Sequence, residues 1–354
     1  MATSSQSQID VKLASNFERY DNDRANGELP VYNTTSANRG VVKIINIYKV
    51  NHDDPEEHWR KGSEIDVRNL VSLFVQMGFT IDIDEKTKTG LPYTKQDIID
   101  NLSAFAKNEK LKTADMAMLF IMGHGGRNSN QSEYFFVANN EVYYYDDVYE
   151  HFNNSNCEYM QNKPKMIFFH MGRETGKSTH EMEDAPISGP VMPSFTDMLV
   201  INVAVPGFSA MRNEDVGSLF IIKLCEQFMK EAHEDDVVTM LAAVKHKISK
   251  EACDKASHVI VQTAAHINGT FDMCYLNPGI YRDDDGVVKY IKTEANEPNI
   301  SQVGENDESE APGNVNQEAN SANQSSINIG AGGSGGGGGG GNNVFIFSVG
   351  KLFN

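Results

Sequence analysis

Short apolar runs along this chain alternate with segments whose apolar residues recur at helical spacing. "VVKIINIY" (41–48) is an unbroken β-branched run, suited to a parallel strand covered on both faces. Val67, Leu70, Val71, Phe74 and Met77 then mark one face of a helix, which Gly78 is placed to end. "TIDID" (80–84) reads as a second strand. Thr94 and Asp97 form a capping box that opens a helix with Ile98, Ile99, Leu102, Phe105 and Ala106 on its apolar face. "MAMLFIMG" (116–123), "KMIFFHMG" (165–172) and "MLVINVAV" (198–205) are three more apolar strands. "GSLFIIKLCEQFMKEA" and "DVVTMLAAVKHKI" read as two further helices, and "HVIVQTAA" (258–265) as a late, β-rich edge strand. The alternation predicts an α/β fold, a three-layer sandwich with a central, mostly parallel six-stranded sheet and helices on both faces. In such sheets ligands sit beyond the C-terminal strand ends.

Composition divides the rest of the chain. Residues 1–36 are polar apart from a short stretch around Leu29–Tyr32. Residues 283–342 are rich in Asn, Ser, Glu and Gly, a composition that buries too little apolar surface to offset its ordering entropy and predicts disorder. An apolar peptide, 343–354, follows and contains "VFIFSVGKLFN"; it reads equally as a tethered ligand and as a sticky tail. The formal charge of −18 argues against binding a phosphate backbone, hence no nucleic acid, and favours basic partners. Cys157, Cys225, Cys253 and Cys274 are scattered without a CxxC pair, which argues against a disulfide framework or a zinc knuckle. No cofactor or metal is implied. No apolar run is long enough to span a membrane, and "MATSSQSQID" has no apolar signal core. The expected location is the cytoplasm.

Candidate chemistry gathers at two strand ends. One strand runs into His124-Gly125-Gly126. The other, within "KPKMIFFHMGRE" (163–174), runs toward what reads as a sharp exposed turn. An α/β enzyme often places its nucleophile at such a turn, yet Met171, Gly172 and Arg173 supply none. His124 stands 48 positions before Gly172, and a His roughly 50 residues upstream of a Gln-Ala-Cys-x-Gly pentapeptide is the caspase pattern.

In that frame the chain resembles a caspase from Arg39 to about Pro278, and specifically a caspase-like paralogue without its active-site cysteine. His170 takes the place of Gln, Met171 of Ala, Gly172 of Cys and Glu174 of Gly, while Arg173 is kept. "RGVVKIINIY", the Arg-x-Gly-x-x-x-Asp pattern beginning at Arg60, "FIMGHGG", "AVPGFSAMRNEDVGSLFIIKLCEQF" with Met211 in place of Trp, and "FDMCYLNPG" match other family stretches in order. The resemblance implies large-subunit-like residues 37–174, a linker 175–193 and small-subunit-like residues 194–282, after a short prodomain 1–36. A death-fold adaptor domain needs more residues than precede the core.

The resemblance implies catalytic positions at His124, Gly125 and Gly172, the last a vestige of the nucleophile. It implies a substrate-aspartate pocket at Arg60, His170 and Arg212, where paired guanidiniums suit a carboxylate. Without a thiolate the expected activity collapses, as in subtilisin, where losing the nucleophile costs about a million-fold. The expected role is then regulation of active paralogous caspases in apoptosis-type signalling. It would act by heterodimerisation, by homodimerisation, or by holding Asp-containing segments, with no membrane or cofactor. Asp184, followed by Ala185 in the linker, is a candidate processing site, with Asp21 and Asp23 as weaker ones. Two alternatives stay open: a working Asp-specific cysteine endopeptidase with a displaced nucleophile, and a nucleotide-binding protein using Gly172–Ser178. The second has three residues between its glycines where a P-loop needs four.

Overall fold

The computed structural model describes residues 8–130, 132–173, 196–203, 212–254, 264–267 and 270–291. In chain order the elements are α1 (Glu18–Asn26), β1 (Gly40–Asn46), α2 (Ser63–Gln76), β2 (Thr80–Ile83), α3 (Glu85–Thr89), α4 (Lys95–Ala106) and β3 (Met116–Arg127). There follow β4 (Glu133–Phe136), β5 (Val142–Tyr144), α5 (Tyr145–His151), β6 (Lys165–Arg173) and β7 (Met198–Asn202). The last are β8 (Arg212–Asn213), β9 (Gly217–Ser218), α6 (Leu219–Glu231), α7 (Val237–Asp254), β10 (Ala264–Ile267), β11 (Ile280–Arg282) and β12 (Val288–Tyr290).

The main sheet runs β10-β7-β6-β3-β1-β2. Five strands are parallel, and β10 pairs antiparallel to β7. The short strands β4 and β5 extend it from the C-terminal end of β3. The strands are unbroken apolar runs because both faces are covered. Successive side chains alternate between two cores. Val42, Ile44, Phe120 and Phe168 face Leu70, Phe74, Leu224 and Phe228 of α2 and α6. Val41, Ile45, Leu119, Ile121 and Phe169 face Ile98, Leu102 and Phe105 of α4. The expected α/β sandwich is what forms, and the Thr94–Asp97 capping box is present.

Three expectations need correction. First, β6 does not turn at Gly172. It stays in register with β3 through Arg173, and Gly172 is buried. β3 likewise continues past His124 to Arg127, because β4 supplies hydrogen-bond partners there. Second, the polar composition of residues 1–36 gave no sign that part of this segment packs on the core. Val11, Ala14, Phe17, Tyr20 and Tyr32 are buried, and Phe17 and Tyr20 cluster with Tyr275 and Ile280. Sparse apolar residues on a polar background hid a strap whose partners are distant in sequence. Third, the expected disorder from residue 283 begins too early, since β12 pairs with β11 and the Ile291 amide donates to the Gly279 carbonyl. Of the expected edge strand 258–265, residues 258–263 lie outside the described residues, and the described edge is β10.

Candidate functional site

The C-terminal ends of β1, β3 and β6 lie side by side, and the candidate residues sit on or just beyond them. Parallel pairing sets His124 opposite Gly172 and Met122 opposite His170. By the two-residue alternation, His124, His170 and Gly172 all project to the face occupied by Phe120 and Phe168. A Cβ added at Gly172 would lie 3.3 Å from His124 Nδ1, closer than to any other described neighbour. Gly125 is constrained for another reason: a Cβ there would come within 2.4 Å of the Tyr134 carbonyl oxygen on β4.

The arginines come from opposite halves of the chain. Arg60 leaves β1 through a loop in which its amide donates to the Tyr48 carbonyl. Its side chain is fully buried, with Nη1 donating to Asn46 Oδ1 at 2.8 Å. Arg212, on β8, donates Nε to the Lys61 carbonyl at 2.9 Å. Gly62 permits this approach: its φ is +86°, and a Cβ would strike the Asn213 carbonyl oxygen at 2.5 Å. Asp66 then accepts from the Ser218 amide at 2.7 Å and hydroxyl at 2.5 Å. The Arg-x-Gly-x-x-x-Asp spacing thus has a physical meaning: a buried guanidinium, a close backbone approach and a buried carboxylate tying α2 to α6. Sequence reasoning noted the pattern without assigning Asp66, or Asn46, a role in the site.

The cluster is largely buried and short of acceptors among the described residues. Burial, and then the Arg212 charge, lower the Arg60 pKa to about 9, with Asp66 and Glu64 opposing. Burial also lowers Arg212. Burial, then Arg60 and Arg212, bring His124 down to about 4, against a weak upward pull from the Gly172 and His58 backbone. The same causes hold His170 well below the ordinary histidine value. Both imidazoles are therefore neutral at pH 7. Nε and Nη2 of Arg60, Nδ1 of His124 and both ring nitrogens of His170 make no hydrogen bond among the described residues. Unmet buried donors each cost about 1–3 kcal/mol; here Nε and Nη2 of Arg60 are donors, and each neutral imidazole carries one N–H. Such a concentration beside two guanidiniums suits a carboxylate-bearing ligand, which would accept from several of them at once.

None of the described thiols reaches this place. Cys157 lies beside Lys165, which opens β6, roughly 20 Å along the strand from Gly172. Cys274 lies beside Asp115 and Arg39, below the opposite end of the sheet. Cys225 is buried in α6 near Asp66. Burial pushes the Cys157 thiol up to about 11 and raises the other two. The side chains of Cys253, Glu174, Asp184 and Met211 fall outside the described residues, as does most of Gly172–Ser178. Asp21 and Asp23 lie within α1, where Asp21 pairs with Arg282 and Asp23 accepts from the Tyr275 hydroxyl. A cut at either would first require that helix to open. Among the described residues there is no cluster fit for a metal ion, and no helix is long and apolar enough to cross a membrane.

Residues 39–271 match the caspase domain of peptidase family C14. Caspase Dronc of Drosophila melanogaster is 24% identical over 274 residues, 70% of this chain and 57% of that protein. Caspase b of Danio rerio is 27% identical over 198 residues, 55% of this chain and 47% of that protein. The chain thus spans about half the length of the curated relatives it matches. The crystal structure of the Drosophila initiator caspase Dronc superposes with a TM-score of 0.61 at 21% identity, covering 79% of this chain and 98% of that one. That of caspase-1 from Spodoptera frugiperda gives 0.53 at 21% identity, covering 71% and 94%. At these identities the likeness is one of fold.

Proposed function

The chain belongs to the caspase-domain family, and from that premise we propose that it is a pseudo-peptidase subunit, one that keeps the histidine and the aspartate pocket but has no nucleophile. The observation that carries this reading is the residue facing His124. A thiolate attached to residue 172 would start from a Cβ 3.3 Å from Nδ1, and glycine offers nothing there. Nucleophilic catalysis needs a nucleophile and its base within hydrogen-bond reach. Arg60, Arg212 and His170 form the pocket for an aspartate side chain. His124 and Gly125 keep their positions without a reaction to serve.

Such a subunit acts on active relatives, as a heterodimer, as a homodimer that competes with them, or by holding their Asp-containing segments. β10 supports the pairing route, since it lies at the end of the sheet and pairs only with β7 among the described strands. An open strand edge is a template for another chain. We place the large-subunit-like region at 37–174, the linker at 175–193 with Asp184 as its processing site, and the small-subunit-like region at 194–282. The regulated process is apoptosis-type signalling in the cytoplasm.

The test is a peptidase assay on aspartyl peptides with three samples: wild type, Gly172→Cys, and wild type mixed with an active caspase. Wild type should be inert, Gly172→Cys should gain turnover, and the mixture should differ in rate from the active caspase alone. Wild-type turnover near that of Gly172→Cys would overturn the proposal. An unchanged rate in the mixture would remove the regulatory role.

A further inference from the structure

The missing side chain does more than stop catalysis; it changes which ligand the site can hold. A peptidase with a thiolate at position 172 carries a negative charge beside its histidine. That charge repels a carboxylate at the scissile position, so a cleaved peptide that ends in a free carboxylate is driven out. Here no sulfur and no Cβ stand between the strand and His124 Nδ1. The imidazole is neutral, and its buried Nδ1 makes no hydrogen bond among the described residues; with the ring proton on that nitrogen it is a donor.

The surrounding charge favours the same ligand. Arg60 and Arg212 bring two guanidiniums, while Asp66 is already engaged by the Ser218 amide and hydroxyl. Arg60 Nε and Nη2 and both His170 nitrogens are buried and unmatched. One carboxylate from an aspartate side chain satisfies part of this set. His124 Nδ1, likewise buried and without a partner among the described residues, is left for a second acceptor.

We propose that the site takes peptides ending in aspartate, the cut C-termini that an aspartate-specific peptidase leaves, in preference to peptides carrying aspartate in mid-chain. The side-chain carboxylate lies between Arg60 and Arg212, with His170 donating a hydrogen bond. The terminal α-carboxylate takes the space at Gly172 and accepts from His124. This rests on the aspartate pocket proposed above and adds to it the form of the peptide. The subunit would then read the products of its active relatives rather than compete for their uncut substrates.

Fluorescence anisotropy on the full chain tests this with three labelled pentapeptides: one ending in aspartate as the free acid, its C-terminal amide, and the same sequence extended past the aspartate by Gly-Ser. The free acid should bind at least ten-fold more tightly than the other two. Gly172→Ala, which places a methyl 3.3 Å from Nδ1, should erode that preference, and a thermal melt would show that it folds; an undiminished preference in a folded Gly172→Ala would also overturn the inference. Equal affinity for the free acid and the extended peptide would overturn the inference but leave the aspartate pocket standing. Binding of none of the three would overturn both.

Discussion

Gly125 and Gly172 show how differently one residue type is used. At Gly125 the obstacle to a side chain is a backbone carbonyl, 2.4 Å from a built Cβ, and backbone within a sheet cannot move aside cheaply. Gly125→Ala should therefore separate β3 from β4 and destabilise the fold by about 1–3 kcal/mol, the usual range for overpacking. At Gly172 the nearest neighbour is an imidazole at 3.3 Å, and a small ring adjustment accommodates it. Gly172→Ala should therefore cost less than Gly125→Ala, since a side-chain ring yields more readily than sheet backbone. Urea midpoints of the two variants compare them directly, and a larger loss at Gly172 would contradict the geometry. Asp66 makes a second residue-scale prediction. It is buried, accepts two hydrogen bonds from Ser218 and lies near both guanidiniums. Asp66→Ala should cost about 3–5 kcal/mol, the range for removing one partner of a buried charged cluster. An unfolding midpoint close to wild type would show that Arg60 does not depend on this carboxylate.

At the level of elements, the N-terminal segment is where composition and structure part most clearly. Phe17 packs edge-on to Tyr20, and Tyr20 in turn against Tyr275. Lys12 donates its amide to the Met229 carbonyl, and Gln76 fastens the backbone at Ile9 and Val11. Phe17→Ala should thus cost about 3–5 kcal/mol, as a large-to-small change in a core. A chain shortened to begin at Arg39 should melt well below the full chain in circular dichroism, and an unchanged melt would show that the segment's packing contributes little to stability. The strands β1, β2, β3, β6 and β7 were legible as short apolar runs, and the helices α2, α4, α6 and α7 because their apolar residues repeat at helical spacing. The strap was not, because its few buried residues answer to Tyr275 and Ile280, some 250 positions away, and leave no local period. The strand ends were misjudged for a related reason. A glycine near the end of an apolar run reads as a turn, yet Gly123, Gly125 and Gly172 are held in the ladder by partner strands that sequence does not reveal. The candidate site residues came from the family resemblance, and the strand register sets His124, His170 and Gly172 on one face. What each does to the others was not legible, since the two arginines meet only when β8 closes on Gly62.

For the whole molecule, the consequence of drawing these elements together is a buried, positively charged centre that bears on stability as well as binding. His124 is held at about 4 and His170 well below its ordinary value, in both cases chiefly by burial and then by Arg60 and Arg212. The unfolded chain binds protons at both near 6.5. Below that pH the unfolded state holds more protons than the folded one, so stability is complete above about 6.5 and falls as pH drops toward 4. For His124 alone the shift corresponds to about 3 kcal/mol across that window. Asp66 and Asp115 act in the opposite sense at the acid end, because burial raises both and their protonation is easier in the fold. The measurement must therefore be a difference. Urea unfolding between pH 7 and pH 4.5 of wild type and of a His124→Asn, His170→Gln variant isolates the histidine part. The variant should lose less stability than wild type over that range, and binding a carboxylate ligand to wild type should flatten the difference by giving the imidazoles an acceptor. Parallel curves for the two proteins would mean that the imidazoles are solvated and that the centre is open to water, in which case the unmet donors of Arg60 would be satisfied there and would call for no ligand.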